Sequence, residues 1–181
     1  TKITVAKTDN AYALHATLDN SRIEGQGVID INGSVYAANG GKIDVTAAAA
    51  SQLTGDIVVE SSGVSDITFS SDALFTGLTS VSGTNSENNL TLGSNSLWNM
   101  TGTSSLSSFT NNAVVDMTKD GNTFSTLTVD NLNGNGTFLM DIDGTAVDQS
   151  DKIVVNDTFT GSQVLSLQET GSSGNCAGQR Q

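Results

Sequence analysis

Apolar residues recur along this chain in pairs separated by one polar position. "KIDVT" carries Ile43 and Val45, "DITFS" carries Ile67 and Phe69, "NLTLG" carries Leu90 and Leu92, and "VVDMT" carries Val115 and Met117. The first members of these pairs, Ile43, Ile67, Leu90 and Val115, stand 24, 23 and 25 positions apart. A second marker keeps similar time: "QLTG", "LFTG" and "NMTG" end at Gly55, Gly77 and Gly102, with steps of 22 and 25. Each apolar pair reads as a short strand whose alternate side chains face inward. Turn-rich stretches such as "SSGVS", "SGTNSENN" and "TNNA" lie between them. The run "TAAAASQ" has no amphipathic continuation, so it reads as strand or loop, and no segment carries a convincing helical pattern.

Short strands at a step in the low twenties predict a coiled solenoid: an all-β, right-handed, single-stranded parallel β-helix in which each circuit gives about three strands to three sheets. Inward Val, Ile, Leu and Phe from successive circuits would stack into one core, and Asn, Ser, Thr and Gly would turn the corners. An antiparallel sandwich is the competing architecture. A solenoid leaves unpaired strand edges at its ends, so terminal units need capping. The segment "LTVDNLNGNGTFLMDID", residues 127–143, breaks the alternation at Gly134 and Gly136 and resumes with Phe138, Leu139 and Met140. That break predicts a hairpin-like cap near the C-terminal end.

Composition narrows the function classes. The 181 residues suffice for one domain with a core, and no run of about 18 apolar residues is present to span a membrane. A formal charge of −12, with only seven Lys and Arg scattered along the chain, argues against nucleic acid and anionic membranes as partners. "TKITVAKTDN" shows no signal peptide, so a secreted parent would have lost it before this point. The single cysteine, Cys176, lies in the tail "GSSGNCAGQRQ" and cannot form an internal disulfide; residues 172–181 are expected to be disordered or an expression remnant.

No constellation of catalytic residues stands out. His15 is the only histidine and no GxSxG-type nucleophile accompanies it, so it is expected to be a polar surface or edge residue. Asp44, Asp56, Glu60, Asp66 and Asp72 are candidates for a polysaccharide-cleaving carboxylate pair, with solvating charge as the plainer reading. A lyase would also want an arginine base, and only Arg22 and Arg180 exist, both near the termini. "DIDGTAVDQSD", residues 141–151, resembles a calcium loop through Asp141 and Asp143. It departs from the EF-hand spacing, because Gly144 comes too early and Lys152 occupies the place of the closing Glu. It is expected to be an acidic surface loop. Asn-x-Ser/Thr sites at Asn32, Asn89, Asn99, Asn135 and Asn156 are within chance for this composition. No catalytic residue, metal ligand or cofactor is therefore expected, and Trp98, flanked by Leu97 and Met100, is expected to pack near the cap rather than stack on a sugar.

From Leu127 to Thr170 the chain closely resembles the autochaperone region of pertactin-family autotransporter passengers, nearest to self-associating adhesins of the diffuse-adherence adhesin and antigen 43 type. The resemblance rests on Leu127, Val129, Leu132, Gly134, Gly136, Phe138 and Met140, followed by Ser150, Asp151, Lys152, Ile153, Val154 and Val155, then Gly161, Leu165 and Leu167. The upstream "SLWNMTGTSSLSSFTNNAVVDMT" is similar to the family's preceding tryptophan-bearing circuit. The family's chain continues into an outer-membrane β-barrel, which this sequence does not include.

The resemblance implies residues 1–102 as β-helix circuits of a passenger (1–40 less regular), residues 103–171 as an autochaperone cap, and 172–181 as the tail. It implies a non-enzymatic surface or secreted bacterial adhesin fragment, exported through periplasm and outer membrane. Its partners would be its own barrel and either further passengers or a host surface protein, with no nucleic acid among them. Phe138, Leu139, Met140, Ile142, Ile153, Val154, Val155, Phe159, Val164, Leu165 and Leu167 would form a folding nucleus, each buried side chain worth roughly 1.5–3 kcal/mol. "SGTNSENN" and "TNNA" would be polar contributors to self-association.

Overall fold

The computed structural model describes residues 3–5, 12–118, 123–144 and 149–170. The expectations for the tail, Cys176 and Arg180 fall outside the described residues, as do positions 145–148 of the acidic loop.

Three parallel sheets wind around one apolar core as a β-solenoid of about six turns. Sheet A stacks β1 (Ile3–Val5), β4 (Ile29–Asn32), β7 (Gln52–Thr54), β10 (Leu74–Gly77), β13 (Leu97–Met100), β15 (Val114–Asp116), β17 (Thr137–Ile142) and β19 (Val164–Glu169). Sheet B stacks β2 (Tyr12–Thr17), β5 (Ser34–Ala38), β8 (Ile57–Glu60) and β11 (Thr79–Ser82). Sheet C stacks β3 (Arg22–Gly27), β6 (Lys42–Ala47), β9 (Val64–Phe69), β12 (Glu87–Leu92), β14 (Ser104–Asn111), β16 (Thr126–Asn133) and β18 (Lys152–Phe159).

The alternation in sequence becomes alternation in burial. β6, β9 and β12 bury Val45, Ile67, Phe69, Leu90 and Leu92 and turn the residues between them outward. Register then builds continuous ladders. In sheet A the line runs Ile31, Leu53, Phe75, Trp98, Val115, Phe138, Leu165; in sheet C it runs Val45, Ile67, Leu90, Phe109, Leu132, Phe159.

Corners use left-handed backbone. Asn39, Ser61 and Asn85 turn the chain from sheet B to sheet C at φ of 51°, 49° and 59°, while Ala50, Asp72 and Asn95 turn it from C to A. The A-to-B corner requires glycine. Gly55 has φ of 144°, and a Cβ there would lie 2.4 Å from the carbonyl oxygen of Gly33 one coil earlier.

Register corrects the spacing read from the sequence. Ile67 and Phe69 do stack on Leu90 and Leu92, but Val45, not Ile43, is the neighbour of Ile67. The full coil there is 22 positions, as Val35 beside Ile57 shows. A slip of two keeps a side chain on the same face of a strand, so the apolar pattern alone cannot detect it. Val115 belongs to sheet A, beside Trp98 and Phe138, whereas Leu92 stacks on Asn111 in sheet C. Likewise Met100, not Gly102, lies beside Gly77.

The coil changes shape after β13. Sheet B ends at β11, and the eight-residue strand β14 covers both corners that two strands covered before. Thr79 N donates to Ser104 Oγ at 3.2 Å and Val81 N to Ser105 Oγ at 2.9 Å, while Phe109 in the same strand lies beside Leu90. β16 and β18 repeat the eight-residue form. At the expected cap β17 and β19 pair in parallel, as do β16 and β18; among the described residues the hairpin-like reversal is confined to the antiparallel bridge of Ile142 to Ser150, flanked by the hydrogen bonds of Asp143 N to Gln149 O and Asp151 N to Asp141 O. Gly134 and Gly136 interrupt the strands because a corner falls there, not because the chain reverses direction.

Candidate functional site

The C-terminal end of the solenoid concentrates the residues that the sequence singled out. β16 and β17 form the last covered coil. Leu127, Val129, Leu132 and Phe138 are fully buried there, and Met140 is nearly so. β18 and β19 form the terminal coil above them, the last strands of sheets C and A.

Buried polar groups hold this terminal coil in place. Asp151 is only 4% exposed, and its carboxylate accepts two backbone amides: Oδ1 from Ser125 N at 2.8 Å and Oδ2 from Asp141 N at 2.7 Å. Around it, Asp151 N donates to Asp141 O and Lys152 N to Ser125 O. One side chain thus joins the start of β16, the end of β17 and the start of β18. A charge-assisted bond of this kind is about twice as strong as a neutral one.

A second clasp lies at the opposite corner. Gln163 Oε1 accepts from Asn111 Nδ2 and from Gly136 N, each at 3.1 Å, while its Nε2 donates to Asn133 O at 3.2 Å and Asn111 O at 3.4 Å. Asn111 is fully buried, and its Oδ1 accepts from Ala113 N. Outside, a row of paired polar side chains follows the same coil: Asn156 Nδ2 donates to Asp130 at 2.9 Å, Thr158 to Asn131 at 2.5 Å, Thr160 to Asn133, and Ser162 N to Asn135 at 3.0 Å.

The apolar side of the terminal coil is open. Burial divides the expected nucleus, because nothing in the described chain stacks above β18 and β19. Phe159, Leu165 and Leu167 are 54%, 55% and 58% exposed, and Val154 and Val164 are also exposed. Ile153 and Val155 are partly buried against the core. Leu132, Phe138, Ile153, Val155, Phe159, Gln163 and Leu165 line an apolar concavity of about 210 Å³ at this mouth.

The remaining candidates lie elsewhere. Trp98 is fully buried two positions below Phe138 in the sheet A ladder, stacked on Phe75 at 5.2 Å and edge-on to Phe109 at 5.6 Å, with Nε1 donating to Gly77 O at 2.9 Å. Phe109 in turn meets Phe138 edge-on, so an aromatic column runs from Trp98 to the terminal coils. The carboxylates are each engaged locally. Asp44 takes Arg22 at 3.0 Å, Asp66 takes Asn89 Nδ2 at 2.8 Å, Asp56 caps Leu78 N at 3.0 Å, and Glu60 accepts the Tyr36 hydroxyl at 3.0 Å. Asp72 is a left-handed corner residue. His15 is exposed on β2. Among the described residues no group of three His, Cys, Asp or Glu side chains could hold a metal ion. Gly134, Gly136 and Ser150 are corner residues of the terminal coils, and Lys152 is exposed at the start of β18.

Sequence reasoning missed Gln163 and Asn111. The available signal was a long amide between "TGS" and an apolar run, and a buried Asn where the ladder otherwise places Leu or Phe.

The Pertactin family model matches residues 108–180, which begins in β14 and includes both clasps and the open mouth. The match supports a pertactin-like autotransporter passenger region over that span. No curated protein and no solved structure gave a match.

Proposed function

We propose that this chain is the C-terminal passenger segment of a bacterial autotransporter, secreted or displayed at the cell surface, and that its terminal coils nucleate folding of the passenger. The match to the Pertactin family model over residues 108–180 supports an autotransporter passenger. The observation that carries the folding role is the set of polar clasps at the C-terminal end. Asp151 and Gln163 lock the starts of β18 and β19 onto β14, β16 and β17. Coils locked together in this way can order as one unit and offer an edge on which the preceding coils stack. Parallel β-pairing is otherwise slow, because loop closure precedes the contacts that stabilise it.

On this reading the first partner is the parent's own outer-membrane β-barrel, and the chain acts as a scaffold, with no catalytic role. The parent acts in adhesion, autoaggregation or biofilm formation. The resemblance to self-associating adhesins and the row of polar pairs along β16 and β18 support that finer role. A passenger that recruits a host surface protein is the second reading.

The test is surface protease accessibility of the full parent displayed on bacteria, with and without residues 127–171. Stalled export, or an exported but protease-sensitive passenger, is the expected result of the deletion. Export of a passenger as resistant as the parent would overturn the folding role.

A further inference from the structure

We draw no further inference here: the strongest candidate, the apolar concavity of about 210 Å³ at the C-terminal mouth lined by Phe138, Ile153, Phe159 and Leu165, lies where the described residues end, and nothing in the structure shows what covers it.

Discussion

Gln163 and Asn111 clasp one another across 52 positions of sequence: Asn111 Nδ2 donates to Gln163 Oε1, and Gln163 Nε2 donates to the Asn111 backbone carbonyl. Gln163 sits in the terminal coil and Asn111 two coils below, so the pair skips over the coil between them. Gln163 also accepts from Gly136 N and donates to Asn133 O within that intervening coil. One side chain therefore ties three successive coils together. Gln163→Ala leaves the buried Asn111 amide without this partner, at a cost of about 1–3 kcal/mol. Hydrogen exchange should show the loss first in β19. Unchanged protection there would mean the clasp contributes nothing to holding the coil.

Asp151 makes the corresponding join at the other corner. Asp151→Asn preserves size but replaces one accepting oxygen with an amide that meets a backbone N–H head-on. Either Ser125 N or Asp141 N then loses its acceptor, and destabilisation of about 1–3 kcal/mol follows. A drop in the urea midpoint, with the slope of the transition unchanged, is the expected readout.

Glycine positions separate into those that the solenoid requires and those it does not. Gly134 has φ of +97°, and a Cβ there would stand 2.3 Å from the Asn111 carbonyl oxygen. Gly102 would place its Cβ in ordinary contact, 3.8 Å from Leu78 Cδ2. Gly134→Ala should therefore destabilise the chain severely, while Gly102→Ala should be neutral or stabilising by up to about 1 kcal/mol. Paired thermal melts of the two variants decide the matter, and equal losses would contradict the register described here.

These residues also mark how far the sequence could be read. Alternation alone gave strands, a low-twenties coil and the solenoid, because Ile67, Phe69, Leu90 and Leu92 keep strict time. It failed at Ile43, where a shift of two leaves the pattern unchanged, and at Val115, where the shortened coil after β13 moves the apolar pair to another sheet. Asp151 was visible as part of "SDK", but its role as a double acceptor depends on amides at Ser125 and Asp141, 26 and 10 positions away. The pairing of Gln163 with Asn111 depends on register alone, and no local pattern encodes it.

The phenol of Tyr36 offers a pH test of its hydrogen bond to Glu60. Its pKa lies above the ordinary value of 10.0, chiefly because it donates to the Glu60 carboxylate. A raised value in the folded state means that its contribution to stability is fully present below the ordinary phenol value and fades as pH climbs through the raised one. Phenolate absorbance should show Tyr36 ionising late in the native chain and earlier in Glu60→Gln. Identical titrations of the two proteins would show that the hydrogen bond is not formed in solution.

On the proposed autotransporter reading, the apolar mouth separates the behaviour of this chain alone from that of a longer displayed parent. Phe138 is fully buried beneath Leu165, so Phe138→Ala should cost about 3–5 kcal/mol in the isolated chain. Phe159 and Leu165 are more than half exposed, so replacing either by Ser should cost the isolated chain less than Phe138→Ala does. The double variant should still fold, with a lowered midpoint. In the displayed parent the same double variant should lose protease resistance or stall in export, because there the two side chains meet whatever covers the mouth. If the double variant folds and is exported like the unaltered parent, no cover on the mouth contributes to export, and the nucleating role lies in the edge that the terminal coils offer to the coils before them.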